Sequence, residues 1–380
     1  MNRLEQLDSI RGIAALIVFI NHMFLILPIF TNEIEDSNLF VGLLKNSPLS
    51  IVWAGHVAVL IFFILSGFVL SLAFYYKPQR YKPFLIKRFC RLYIPFIIVL
   101  LLSILLNLIF YQGEIKEASN WINNQWSNIS WESILSHVLF LGNYDTHVFN
   151  PPIWSLVHEM RISIVFPFIM FFIIRYKWKS IFGAFALSII GFGLSVLTGA
   201  SNIDLFITLH YASLFILGAL LAMYKDTFSD WYQSLSKNTK FILVLFSLLL
   251  LTYSYWFMPN VNILHIKIIN DWVSAVGALI IIGVSLSSAT LIGFLKTKFV
   301  LQMGKISFSF YLTHFVVLLT FLYTLSGTLP IWMIWIVTFV TTYAISTLLY
   351  NYVEKPSIII GRKFASPKNI ESSKNGLKVS

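Results

Sequence analysis

Apolar runs recur along the chain at close to the length a bilayer-crossing helix needs, about 20 residues. Ten stand out, at about 10–30, 51–75, 92–111, 159–175, 180–198, 205–224, 240–257, 272–292, 304–325 and 331–351. The pattern predicts an all-α polytopic membrane protein, because a helix satisfies its own backbone polar groups where no water can. Ile134–Leu141 is apolar but too short to cross, and reads as an interfacial or re-entrant piece of the long loop 112–158. The first run is the least uniform. Arg11 opens it and His22 follows eleven positions later. Eleven residues are just over three helical turns, so the two side chains share a face, about 16 Å apart along the axis and roughly half the hydrocarbon thickness.

Composition agrees with this pattern. Of 380 residues 58% are hydrophobic and 11% charged, against about 25% charged in soluble domains. The 27 Lys and Arg fix an orientation. With the N-terminus in the cytoplasm, 23 of them fall on the inner side, six between 76 and 91 and six from Lys355 onward. Only Lys45, Lys116, Arg161 and Lys267 fall outside. This is the positive-inside asymmetry, and an even number of spans puts both termini in the cytoplasm. The net charge of +11 is therefore read as topology, and no basic helix stands apart from the membrane segments to bind nucleic acid. The single cysteine, Cys90, excludes a disulfide framework and a cysteine metal site. The first run is too long for a cleavable signal and is expected to remain as the first span. Residues 1–360 read as one integral-membrane domain. The Ser-, Lys- and Asn-rich stretch 361–380 reads as a disordered, basic cytoplasmic tail.

Several polar residues inside or beside the spans are candidates for chemistry. Arg11 alone would read as a flanking cation reaching for headgroups, and His22 alone as a packed imidazole. Ionisable groups within a span are costly and tend to face the protein interior, however, and Asp8, one turn before Arg11, is placed to orient its guanidinium. Asn21 adds a polar group beside His22. Arg88 and Arg91, three apart at the head of the third span, share a face and suit a phosphate-bearing ligand. Lys77, Arg80 and Lys82 read as topology alone.

Ser66 and Gly67 read as small residues for close helix packing; Ser66 has no G-x-S-x-G context for a nucleophile. His56, at the outer end of the second span, reads as interfacial. Glu159 is expected in the first turn of the fourth span, complementing the helix dipole or, with His158, Arg161 and Trp154, meeting a polar substrate at the outer mouth. His314 lies ten residues into the ninth run, about 15 Å deep, with Tyr311 one turn earlier. Two midplane histidines, His22 and His314, favour a shared polar cavity. His137, His147, His210 and His265 show no pairing pattern. No H-E-x-x-H spacing occurs, and no metal is expected.

Taken in order, these residues resemble the integral-membrane acyltransferase-3 family of bacterial O-acyltransferases. The resemblance rests on Leu7-Asp8-Ser9-Ile10-Arg11-Gly12 with His22, Phe62 to Gly67, Arg88-x-x-Arg91 before Pro95, and Trp154-Ser155-Leu156 with Glu159. It continues through Gly304 to His314 and Val353-Glu354-Lys355-Pro356. It implies transfer of an acyl group, expected to be acetyl, from cytoplasmic acyl-CoA to a hydroxyl of an extracytoplasmic cell-surface polysaccharide or related glycan. It implies location in the bacterial cytoplasmic membrane, acyl-CoA as co-substrate with no permanently bound cofactor, and glycan-assembly proteins as partners. By resemblance Arg11, Arg88 and Arg91 engage the donor and His22 is catalytic. Glu159 is expected to be catalytic with His22 and, with His158 and Trp154, to contact the acceptor; Ser66, Tyr311 and His314 are assigned to the cavity.

Two departures are visible: Arg161 and Ser163 stand after Glu159 where the family commonly has aromatic residues, and Phe308 stands where Tyr is frequent. The soluble esterase-like domain of some members is not expected here. The rival reading is a transporter or flippase of a lipid-linked sugar, with His22 as a proton relay.

Overall fold

The computed structural model describes residues 4–35, 38–76, 79–198, 204–256 and 267–366. Among these, nine helical stretches are long and apolar enough to cross a membrane. One of them, Ile153–Leu197, is 45 residues long, twice what a crossing needs, and breaks at Lys177, whose φ is +50°. The ten expected spans therefore all have helical counterparts. They are α1 (Glu5–Phe24), α2 (Gly55–Tyr76), α3 (Tyr81–Phe110), α4 (Ile153–Tyr176), α5 (Ser180–Leu197), α6 (Leu205–Met223), α7 (Lys237–Trp256), α8 (Lys267–Ser287), α9 (Lys298–Leu325) and α10 (Ile331–Leu349).

Helices α2, α6 and α9 form most of the interior, whereas α7 and α10 turn residues such as Phe241, Phe246, Ile336 and Val340 outward. With lipid as apolar as leucine, close backbone approach holds such a bundle together. Two glycine pairs provide it. A Cβ on Gly67 would run into the Phe215 carbonyl, and one on Gly218 into the Ile64 carbonyl, so α2 and α6 touch backbone to backbone. A Cβ on Gly12 would stand 2.6 Å from the Gly304 nitrogen, which sets the same contact between α1 and α9. The packing expected of Ser66-Gly67 is thus found at Gly67.

Several boundaries differ from the sequence expectation: α1 runs from Glu5 to Phe24 and α3 begins at Tyr81, eleven residues before its apolar run. Helix α4 begins at Ile153, with Pro152 as its N-cap residue, six residues earlier than the apolar run suggested. Proline is tolerated at a helix start because the missing N–H would be unsatisfied there anyway. Glu159 therefore sits almost two turns inside the helix. At the C-terminal end, Tyr350–Glu354 forms a π-helical turn and a further helix runs from Lys355 to Phe364. Gly361, placed at the start of a disordered tail, is buried in that helix against Cys90 of α3. Residues 367–380 of the expected tail, together with Lys77 and His265, lie outside the described residues. The loop between α3 and α4 carries two short helices, Asn120–Asn123 and Trp131–Leu139. It folds back over the end of α1, with the Ser119 N–H bonded to the Ile26 carbonyl at 2.9 Å.

Candidate active site

Helix α1 borders two cavities. The larger, of about 430 Å³, takes in Asp8 and Arg11 from its first turns, and the smaller, of about 230 Å³, takes in Val18, Asn21, His22 and Leu25. The shared face that spacing assigned to Arg11 and His22 thus runs from one cavity to the other. Tyr311 of α9 borders both, its hydroxyl between Ser155 Oγ at 2.8 Å and the Pro152 carbonyl at 3.1 Å.

The larger cavity gathers cations from separate elements. Arg11, Arg88 and Arg91 line it, with Lys305 of α9 and Arg362 of the C-terminal helix. Three carboxylates, Asp8, Glu159 and Glu354, leave a cationic excess. Asp8 Oδ1 stands 3.9 Å from Arg11 Nη1, the orienting contact that the i, i+3 spacing suggested. Arg88 is buried; its Nη2 donates to Glu159 Oε1 at 2.7 Å and its Nε to Ser163 Oγ at 3.1 Å. Ser66 Oγ donates to the same Glu159 oxygen at 3.1 Å.

Glu159 is therefore not at an outer mouth with Trp154. On α4, Ser155 and Glu159 point to the larger cavity, while Trp154, one position round the helix, lines the smaller one. His158 lines neither; it is fully buried with Nδ1 2.9 Å from Thr208 Oγ1. Arg161 also misses the cavities. Its guanidinium donates to the Leu141 and Gly142 carbonyls at 2.8 and 2.6 Å and pins the loop. Of the two residues after Glu159 that depart from the family pattern, Ser163 serves Arg88 and Arg161 serves the loop.

His22 lines the smaller cavity, and His314, fully buried, meets it from behind the wall. His22 Nδ1 lies 2.8 Å from His314 Nε2, with the rings stacked at 5.0 Å and 10°. The other His314 nitrogen, Nδ1, faces the Phe310 carbonyl at 3.1 Å. A carbonyl only accepts, so Nδ1 of His314 holds its proton and Nε2 carries a lone pair. His22 then donates through Nδ1, which leaves Nε2 of His22 as an unprotonated nitrogen suited to take a proton or attack a carbonyl. Trp121, from the loop helix Asn120–Asn123, also stacks on His22, at 5.5 Å and 14°. Nothing in the spacing of the sequence pointed to Trp121, which lies in a polar loop.

The remaining histidines divide. His137 sits in the short helix Trp131–Leu139, where burial pushes it down to about 4. His147 Nδ1 is 2.8 Å from Gln125 Oε1. His56 and His210 are drawn together by Asp271, a pairing that the sequence pattern did not show. Among the described residues no group of three or more His, Cys, Asp or Glu is arranged to hold a metal ion.

A family model described as an acyltransferase domain matches residues 4–351. Among curated proteins the chain is similar to the O-acetyltransferase OatA of Staphylococcus aureus strains NCTC 8325 / PS 47 and COL, 24% identical over 324 residues. The match covers 80% of this chain and 52% of each relative, so the chain spans about half the length of the curated relatives it matches. No solved structure matches it.

Proposed function

We propose that this chain, which belongs to the acyltransferase-3 family, moves an acyl group, acetyl in the simplest case, from cytoplasmic acyl-CoA to a hydroxyl of a glycan outside the cytoplasmic membrane. One observation carries this reading. A cavity rich in guanidinium groups and a cavity holding a paired histidine share one face of α1, with Tyr311 on the border of both. Guanidiniums bind phosphate oxygens through paired N–H donors, and the nucleotide end of CoA carries such phosphates. Arg11 and Arg91 are the phosphate ligands in this account. Arg88, held by Glu159 and Ser163, stiffens the wall and adds charge. The pantetheine arm follows the α1 face past Tyr311 and brings the thioester to His22, about 16 Å deeper. Nε2 of His22 then either takes the acceptor hydroxyl's proton as that oxygen attacks the thioester, or attacks the thioester itself. The positive-inside pattern supports placing the Arg11 end in the cytoplasm. The O-acetyltransferase name of the relatives supports acetyl as the group transferred. Glycan-assembly proteins are the partners this activity calls for.

The test uses membranes given labelled acetyl-CoA. His22→Ala should abolish labelling of the glycan, and Arg11→Ala should raise the donor KM while leaving the rate at saturating donor little changed. Wild-type labelling by a stably expressed His22→Ala protein would refute the assignment. Mass spectrometry of glycan from cells lacking the protein separates the rival reading: an acyl-sized loss supports the transferase, and loss of the whole glycan supports a transporter.

A further inference from the structure

One cluster of buried titratable side chains has no part in donor binding. Asp271 of α8 is 1% exposed and accepts from two imidazoles, His56 Nε2 at 2.7 Å to Oδ1 and His210 Nε2 at 2.9 Å to Oδ2. Beyond His210, its Nδ1 lies 2.7 Å from Ser188 Oγ, and the Trp272 indole N–H donates to that oxygen at 2.8 Å. Helices α2, α5, α6 and α8 each supply a member. A purely structural knot would be closed on all sides, yet the His56 side chain is 38% exposed and lines the smaller cavity alongside His22.

The protons in this chain can be followed one by one. Trp272 can only donate, so Ser188 Oγ accepts from it and its hydroxyl hydrogen goes to Nδ1 of His210. His210 then carries its proton on Nε2 and gives it to Asp271. His56 also donates to Asp271 through Nε2. Every partner is satisfied with one negative charge, on Asp271, and His56 is left with a lone pair on Nδ1. The two cavity imidazoles are thus backed differently. His22 leans on a neutral imidazole, whereas His56 leans on a carboxylate that would neutralise it on protonation.

We propose that His56 is the group that takes the proton of the acceptor hydroxyl, with Asp271 fixing its ring and balancing its charge. This rests on the acyl transfer proposed above and assigns its two imidazoles separate tasks. Nε2 of His22 attacks the thioester carbonyl; the C–N bond forms, the C–S bond breaks, and CoA leaves as thiolate. His22 passes its Nδ1 proton to His314. The acceptor oxygen then gives its proton to Nδ1 of His56 and attacks the acyl carbon. The C–O bond forms, the C–N bond breaks with its electron pair returning to His22, and His314 hands back the borrowed proton. The proton on His56 leaves to water and matches the thiolate, so alcohol and thioester become ester and thiol. Trp121, Trp154 and Tyr211 around the same cavity offer ring faces to a sugar, and Asn21 and Lys267 offer hydrogen bonds to its other hydroxyls.

The experiment uses [14C]acetyl-CoA and membranes of the source cells with their own glycan, carrying wild-type, His22→Ala, His56→Gln or Asp271→Asn protein. His56→Gln should lower glycan labelling at saturating donor by at least about 100-fold, the low end of general-base contributions. Protein-bound label, read after rapid removal of free donor, should rise above wild type, because the second half of the reaction stalls. Asp271→Asn should do the same; should it fail to fold, His56→Gln at a partly exposed position carries the test. His56→Gln labelling glycan at the wild-type rate would overturn the proposal, and so would loss of labelling without protein-bound label in a folded variant. Glycan labelling at the wild-type rate by His22→Ala would instead overturn the role given to His22, and equal labelling by membranes with and without the protein would overturn the transferase reading.

Discussion

The pairing of His22 with His314 yields a prediction whose size follows from the geometry. Replacing His314 with Leu keeps a side chain of similar bulk and removes the acceptor 2.8 Å from His22 Nδ1. Both residues are buried, so that N–H loses its partner where water does not replace it. An unsatisfied buried donor costs about 1–3 kcal/mol. The ring can avoid this cost by turning over or by moving its proton to Nε2, and either choice removes the lone pair the reaction uses. Spent on reaching the transition state, that energy is about a 5- to 150-fold fall in kcat at roughly tenfold per 1.4 kcal/mol.

The donor KM should not move, since His314 is not among the residues lining the larger cavity. His314→Gln, whose amide oxygen can accept from His22 but cannot hold its proton, should recover the orienting part of the loss and no more. In a His22→Ala background His314→Leu should add nothing, as expected of two residues acting as one unit. The assay is labelled-acetyl transfer at saturating donor, with a thermal melt to confirm folding. Wild-type kcat in a folded His314→Leu protein would refute the orienting role.

Three further outcomes follow from other contacts. Glu159→Leu strips the buried Arg88 of its ion-pair partner at 2.7 Å, so the thermal stability of the detergent-solubilised protein should fall by about 3–5 kcal/mol, and adding Arg88→Met should restore much of it while raising the donor KM. Gly67→Val forces a side chain onto the Phe215 carbonyl and should destabilise by at least the ~1–3 kcal/mol of an overpacked core, whereas Gly183→Val, which meets open space, should express and melt like wild type. His137 is held neutral by burial, pushed from 6.5 down to about 4, so its contribution is whole above pH 6.5 and is lost as pH falls toward 4, because the unfolded loop then binds a proton that the folded loop does not. That is about 3 kcal/mol over the window, readable as a fall in amide-exchange protection factors across 131–150 in wild type at low pH and as the absence of that fall in His137→Leu.

Much of the framework was legible in the sequence because lipid leaves the chain few choices. Ten apolar runs became ten helices, and a spacing of eleven placed Arg11 and His22 on one face. His314 was legible by its depth, and Arg88 and Arg91 by their phase. Glu159 was misplaced because the apolar run opens at that residue, while the helix begins directly after Pro152. The error in helix start moved the carboxylate by almost two turns, from an expected outer mouth to the guanidinium cavity.

The Asp271 cluster was invisible for a different reason. His56, Ser188, His210 and Asp271 lie on four helices, with His56 and Asp271 separated by 215 positions, and Asp271 in sequence is one more charge at the end of an apolar run. Only tertiary packing gives it two imidazoles. Trp121 was likewise hidden, since a tryptophan in a polar loop carries no periodicity that would direct it onto His22.

The central claim is that an acyl group enters at the Arg11 end and leaves beyond His22. Sealed vesicles of known orientation, given labelled acetyl-CoA on the outside only, test it most directly. Inside-out vesicles should label the glycan enclosed within them, and right-side-out vesicles should not. Equal labelling in both, or labelling in right-side-out vesicles alone, would contradict the route.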